Sequence, residues 1–505
     1  MAFRLILVTL PDMLTGTRIL SRPVALSLLA LLVLGYFSLF HQLGRQHMNL
    51  WDESSYALNA LEMVERGDPI EVYLEGQPDL YNSKPPFAIW CMALSVKVLG
   101  FNEFAVRLPA ALFGLGSTLL LFVFGLRVFR DPLVALAAPF VLISSTGFIS
   151  EHGARTGDTD AILAFWILFY CACFFFYTRG GKRAQLFLFL SALGVTFACL
   201  TKGIAGLTAL PGLLVWAAYT RKIKDIFTSK WFYAGVMLFI VAVPGYYLLR
   251  NHYTPGYIDA VLHFELGGRL GRQEFLNPEP RPFYFFYKAM LADGRLNTWL
   301  IALPLSLLLI WWPGRKNEAS HAGAFFTVAL FGVSLSLAAS STKLYWYDMP
   351  MYPLIAGLVG SAVATLSAHV ASQRKEILAC FGIVFLFPYI TVVNNNLNWD
   401  NKLHIREAMR DVRGKLNFKD PYYILDLDHT FPIRFYMKQD TMQGYTSTLA
   451  YPIDTFLVPG TYFLTCKWER EVDMQNVYIL DTLYRYEECA FFRIRERRPQ
   501  TALNP

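Results

Sequence analysis

The chain has 505 residues, of which 55% are hydrophobic and only 16% charged, with a formal net charge of +7. A soluble domain usually carries about a quarter charged residues, so the composition points to a membrane protein. The basic excess lies largely in short loops between apolar runs, where it orients a membrane protein and does not imply nucleic acid.

The first residues hold Arg4, Arg18 and Arg22 but no long apolar core with a small-residue cleavage site, which predicts an uncleaved anchor and an N-terminus inside. Apolar runs near 23–40, 109–129, 132–150, 159–178, 185–200, 204–219, 231–249, 297–312, 322–340, 351–371 and 376–393 predict about 11 transmembrane helices, since a span needs roughly 20 residues. The runs 185–200 and 204–219 could instead form one re-entrant pair. Counted from inside, Arg127 and Arg130, the Arg179–Arg183 cluster, Arg221–Lys224, Arg315 with Lys316, and Arg374 with Lys375 all fall on the cytoplasmic side. The predicted architecture is a polytopic α-helical membrane domain over 1–393, with external loops 41–108 and 250–296, followed by an extracytoplasmic α/β domain over 394–505. The expected location is the cytoplasmic (inner) membrane, multi-pass, with the C-terminal domain outside.

In the first external loop, Tyr56, Ala57, Ala60, Leu61 and Val64 recur at helical spacing after Asp52 and stop at Gly67. A second helix is expected from Lys84-Pro85-Pro86 through Phe87, Trp90, Leu94 and Val98 to Gly100. Both are predicted to lie in the outer interface with their apolar faces toward lipid. Beyond about residue 395 the pattern changes to a polar helix near 402–417 and strand-like runs at 422–425, 462–466 and 490–494. Cys171, Cys173, Cys199 and Cys380 lie in spans and read as small apolar packers, whereas Cys466 and Cys489 fall where a disulfide is permitted. No internal repeat, P-loop or dinucleotide fingerprint occurs, so an ATP-driven role is not expected.

Chemistry-bearing residues crowd at the outer span ends. Asp52 and Glu53 follow the first span and are candidate general bases, although Asp52 also stands where a helix N-cap belongs. Lys84 suits an anionic headgroup, with lipid snorkelling as the plainer alternative. The segment Glu151-His152-Gly153-Ala154-Arg155-Thr156-Gly157-Asp158-Thr159-Asp160 is unusually dense in charge, and the deep Asp160, a further catalytic candidate, calls for a partner such as Arg155 or Lys202. Lys202 and Lys343, with Lys84 and Arg155, make a basic outer surface of the kind a polyprenyl phosphate would seek. His263 and Arg269 in the second loop are further phosphate candidates. No metal set has recognisable spacing and no cofactor is expected, while the sequence leaves a metal requirement open.

Taken in order, these segments resemble the family of the lipid A aminoarabinose transferases and, more distantly, the dolichyl-phosphate-mannose protein mannosyltransferases. Asp52-Glu53-Ser54-Ser55-Tyr56 is similar to that family's Asp-Glu-x-x-Tyr, Lys84-Pro85-Pro86 to its Lys-Pro-Pro, and Glu103-Phe104-Ala105-Val106-Arg107-Leu108-Pro109 to its Glu-Phe-x-x-Arg-Leu-Pro segment; Asp160, Lys202-Gly203 and the stretch 343–353 follow in the expected places. The resemblance implies the type C glycosyltransferase fold, a catalytic role for Asp52, phosphate contact for Lys84, and places near the headgroup for Tyr347 and Arg269. Two departures stand out: Ser83 occupies a position where the aminoarabinose transferases often have Glu, and the sequence after His263 differs, so the acceptor need not be lipid A.

The expected function is transfer of a sugar from a polyprenyl-phosphate donor to a lipid or glycan acceptor on the extracytoplasmic face, with inversion. Within the enzymes the alternative is protein O-mannosylation. Outside them, a lipid-linked-sugar transporter or flippase ranks lower, because transporters place sites near the midplane and show repeats, while these charges crowd at one surface.

Overall fold

The computed structural model describes residues 21–49, 51–270, 299–312, 317–340, 342, 344–398, 403–416, 418–426, 430–450 and 457–499. Its principal helices are α1 (Arg22–Gly35), α2 (Asp52–Arg66), α3 (Phe87–Leu99), α4 (Glu103–Phe129), α5 (Pro132–Ile143), α6 (Asp160–Thr178), α7 (Ala184–Lys202), α8 (Leu210–Tyr219) and α9 (Lys230–Tyr253). They continue as α10 (Trp299–Trp311), α11 (Glu318–Ala339), α12 (Met351–His369), α13 (Arg374–Asn398), α14 (His404–Gly414), α15 (Thr430–Met442) and α16 (Trp468–Val477).

Among the described residues, eight helices are long and apolar enough to cross a bilayer, and the chain is a multi-pass membrane protein. The other three expected runs form the shorter helices α5, α8 and the helix ending at Trp311. Helix α6 shows why the bundle holds together. It is apolar on every side, and 89% of its span window is buried, so it forms the centre of the membrane domain rather than a lipid-facing wall. Small residues bring its neighbours close: a Cβ on Gly332 of α11 would stand 2.4 Å from the backbone nitrogen of Gly212 in α8, so that crossing tolerates no side chain.

The first-loop helices form where the spacing places them. Helix α2 ends at Gly67, which adopts φ +70 at the C-cap, and α3 ends at Gly100. The surroundings of α2 differ from the expectation of lipid contact. The buried face of α2, with Tyr56, Ala57, Ala60, Leu61 and Met63, shares a core with Ile405, Met409, Ile433 and Phe435 of the C-terminal part. Apolar periodicity reports burial but not what does the burying, and here protein replaces lipid. Helix α3 leaves Leu94 and Val98 exposed.

The C-terminal part is a small α/β unit. Its strands β3 (Tyr422–Ile424), β4 (Ser447–Leu449), β5 (Tyr462–Thr465), β6 (Tyr478–Tyr486) and β7 (Cys489–Arg497) follow a short first-loop hairpin, β1 (Tyr73–Leu74) and β2 (Gln77–Pro78). They make one five-stranded sheet in the order β4-β3-β5-β7-β6, with β3 parallel to β4 and β5 and the pairs made by β7 antiparallel. Cys466 and Cys489 are joined by a disulfide that ties the end of β5 to the start of the neighbouring strand β7. Polar contacts dock the unit on the first loop: Arg406 of α14 donates to Glu103 at 2.6 Å and approaches His47 Nδ1 at 2.7 Å, Arg434 pairs with Glu75, and the Tyr436 hydroxyl accepts from the backbone of Met48.

Candidate active site

The outer end of the bundle is organised around Arg107, in the Glu-Phe-x-x-Arg-Leu-Pro segment of α4. Its side chain is 1% exposed and donates to the carbonyls of Leu43, Gln46 and His47, which fixes the chain leading into α2. It also grips Glu53 in a two-pronged pair, Nε to Oε1 at 2.6 Å and Nη2 to Oε2 at 2.9 Å. The backbone amides of Gly157 and Asn49 donate to the same two oxygens. Burial alone would raise the Glu53 carboxyl, but Arg107 and the two amides outweigh it and hold it below the usual range. Glu53, a candidate base from sequence, is therefore a strut: both its oxygens are already engaged and its affinity for a proton is reduced.

Asp52 differs from its neighbour. It is the first residue of α2, and the N-cap is Trp51, at φ 63, with no side-chain cap bond. The capping role open to Asp52 in the sequence is thus not the one it takes. It is half-buried, and its carboxylate lies within 4.8 Å of ligand-type atoms on His152 and Asp158. Lys84 Nζ donates to the Tyr56 hydroxyl, one helical turn along α2 from Asp52, at 2.7 Å. One helix thereby positions the carboxylate and, through Tyr56, the lysine.

Asp160 opens α6 and is 2% exposed; its Oδ1 accepts from Lys202 Nζ at 2.6 Å. Of the two partners the sequence offered, Lys202 is the one used. Arg155 turns away to donate to the carbonyls of His41 and Ser38, and at 3% exposure it ties the turn to the end of the first span instead of presenting charge to a phosphate. Lys202 also stands 5.2 Å from the ring centre of Tyr347. Asp160, Lys202, Tyr347 and Glu265 line a cavity of about 410 Å³ together with apolar Leu163, Leu207 and Leu337.

The remaining candidates are less informative. His263 is exposed in the helical turn Leu262–Leu270. The side chain of Arg269 and all of Lys343 lie outside the described residues. Ser83, where a Glu was expected, donates to Glu265 Oε1 at 2.7 Å, so a carboxylate does stand next to the residue before Lys84, brought there by the second loop.

Two residues of this site were named in the sequence only as members of the charged segment 151–160, with no role of their own. His152 and Asp158 lie in the turn before α6, with His152 Nδ1 3.4 Å from Asp158 Oδ1 and the imidazole stacked on Trp346 at 3.9 Å. Burial works to lower His152, but Asp158, then Asp160 and Asp52, outweigh it and hold the imidazole up at about 9. The charge density of 151–160 was the available signal; the turn geometry that selects these two from it was not.

Comparison with known proteins agrees with this architecture. The sequence profile of the dolichyl-phosphate-mannose-protein mannosyltransferase family matches residues 83–247. ArnT of Cupriavidus metallidurans, solved bound to undecaprenyl phosphate, superposes with a TM-score of 0.68 at 16% identity, covering 93% of this chain and 97% of that one. The fold is that of the type C glycosyltransferases, a polytopic helical domain with a small C-terminal sheet domain.

Within that class, the chain is 26% identical over 365 residues to the undecaprenyl phosphate-α-4-amino-4-deoxy-L-arabinose arabinosyl transferase 1 of Pseudomonas fluorescens, covering 70% of this chain and 62% of that protein. An uncharacterised protein of Aquifex aeolicus is 25% identical over 359 residues, again 70% of this chain and 66% of the relative. The matched stretch thus spans less than two thirds of either relative's length.

Proposed function

We propose that the chain is a membrane glycosyltransferase that moves a sugar from a polyprenyl-phosphate donor to a lipid A-like or other envelope-glycan acceptor on the extracytoplasmic face. The observation that carries this reading is the cavity of about 410 Å³, whose walls combine apolar helix surface with the Lys202–Asp160 pair. An apolar chain with an anionic head matches both kinds of wall. The names of the relatives, which act on undecaprenyl-phosphate-linked aminoarabinose, support the same donor class.

The chemistry assigned to the site is a single inverting displacement. Asp52 takes the proton of the acceptor hydroxyl as its oxygen attacks the anomeric carbon, and the bond from that carbon to the phosphate oxygen breaks. The departing polyprenyl phosphate keeps the electron pair, and Lys84 and Lys202 offset its charge. Glu53 and Arg107 hold the first turn of α2 in place.

Mass spectrometry of envelope lipids, polysaccharide and exported proteins from a deletion strain tests the proposal. One glycan or lipid class should lose a single sugar and regain it when the gene is restored. An unchanged envelope, with the lipid-linked donor present and not accumulating, would overturn the transfer reading. Loss of sugar from exported proteins alone would move the acceptor to protein.

A further inference from the structure

The segment that delivers Lys84 depends on groups outside itself. Pro85 and Pro86 hold the chain ahead of α3 extended and offer no amide donors, while Asp79, Asn82 and Ser83 are buried. Buried carbonyls need donors, and here side chains supply them. Arg250, in the last turn of α9 and 0% exposed, spreads its guanidinium over three carbonyls. Its Nη2 donates to that of Asp79 at 2.8 Å, and its Nη1 to those of Asn82 at 3.2 Å and Lys84 at 3.4 Å. The Tyr257 hydroxyl donates to the Ser83 carbonyl at 2.9 Å, and the Tyr257 ring centre lies 3.9 Å from the guanidinium carbon. From the opposite flank, Asn59 of α2 donates to Asp79 Oδ2 and accepts from Asn82 Nδ2.

Arg107 grips three carbonyls in the same way, and the contrast between the two arginines is informative. Arg107 is neutralised by Glu53. Arg250 makes no ion pair among the described residues: the Asp79 carboxylate is engaged by Asn59 and by the Asn82 amide, and Glu265 accepts from the Ser83 hydroxyl. A staple for carbonyls needs donors but no net charge, and an uncancelled buried cation is costly. The negative end of α9 offsets part of that cost. The remaining charge is useful beside a lysine whose task is to meet an anion.

We propose that Arg250 is a positioning residue for the transfer, acting through Lys84 and not on the reacting atoms. By holding the carbonyl of Lys84 and those of Asn82 and Asp79 before it, Arg250 sets where the lysine leaves the backbone. The Tyr56 hydroxyl, 2.7 Å from Nζ, sets where the side chain ends. Together they aim the ammonium at the donor phosphate. The inference rests on the phosphate contact assigned to Lys84 above, and on no other part of the transfer reading.

The test is a double-mutant cycle on carrier binding, read by titrating undecaprenyl phosphate, without sugar, into the full-length chain in detergent. Lys84→Ala should raise the Kd by roughly 10-fold or more. Arg250→Gln should raise it by roughly 5-fold or more in the wild-type chain, yet by less than about 2-fold when Lys84 is already Ala, because the arginine then has nothing left to position. Hydrogen exchange gives a second readout. The amides of residues 79–84 should exchange faster in Arg250→Gln, while those at the start of α2, held through Arg107, keep their wild-type protection. If Arg250→Gln does not fold, Arg250→Lys takes its place in the cycle, since it keeps the buried charge but cannot span three carbonyls. Equal effects of the arginine substitution with and without Lys84 would overturn the proposal, as would unchanged carrier affinity in the single variant. Full affinity in Lys84→Ala would remove the phosphate contact and the proposal with it. Carrier binding that follows the cycle in a chain that transfers no sugar would instead sink the transfer reading alone.

Discussion

At the scale of single residues, the contrast between Asp52 and Glu53 shows how adjacent carboxylates acquire different tasks. Glu53 accepts four hydrogen bonds and is fully committed, whereas Asp52, one position earlier, is half-buried with its carboxylate near His152 and Asp158. Because Trp51 and not Asp52 is the N-cap, Asp52→Asn should leave expression and melting temperature nearly unchanged. Turnover should fall by roughly 10² or more if the carboxylate takes the acceptor's proton. Near-wild-type turnover of the purified variant would remove Asp52 from the chemistry and return attention to Asp160. Lys84→Ala addresses the donor: losing one charge-assisted contact to phosphate costs about 1.5–3 kcal/mol, which should appear as a raised KM for the lipid donor or loss of turnover, with folding retained. Unchanged donor kinetics would make Lys84 a residue that merely braces Tyr56.

At the scale of elements, helices α2 and α3 were legible because local signals bound them: periodic apolar residues inside, Gly67 and Gly100 at the ends. The seam between α2 and the C-terminal unit was not legible, since Tyr56 and Phe435 are far apart in the chain and a buried face looks the same whatever covers it. The same limit applies to the site. Asp52 and Lys84 carried motif signals, but Arg155 was read as a phosphate ligand because its charge is visible in sequence and the carbonyls that capture it are not. Helix α15 carries a separate, testable charge. Asp440 pairs with Arg413 at 2.5 Å, yet burial outweighs that pull and holds its carboxyl up at about 6. The folded unit therefore keeps a proton that the unfolded chain releases near pH 4, and this contribution to stability is full below about pH 4 and lost as the pH rises through about 6. Comparing melting of wild type and Asp440→Asn at pH 4.5 and pH 7 isolates the effect, because all other groups titrate in both. The wild type should lose more stability than the variant between the two; a constant difference would refute the burial argument.

At the scale of the whole molecule, the arginines and lysines at 127–130, 179–183, 221–224 and 374–375 predict that one face is cytoplasmic and that the sheet unit with the proposed site lies on the other. A reporter fused after residue 505 should be active only in its extracytoplasmic form, and one fused near residue 181 only in its cytoplasmic form. The reverse pattern would displace every residue proposed for the site. The docking of the C-terminal unit on α2 has a further consequence for biogenesis. The loop that bears Asp52 leaves the ribosome well before the residues that cover its apolar face, Ile405 to Phe435, which are made about 350 residues later. At about 5–20 residues per second the loop waits on the order of tens of seconds with that face unpartnered. Arg406 then closes onto Glu103 and the neighbourhood of His47, whose carbonyl helps hold Arg107. The outer face is thus assembled from two distant parts of the chain, and a chain truncated before residue 404 would carry every side chain proposed for the site while lacking the clasp that sets them in register.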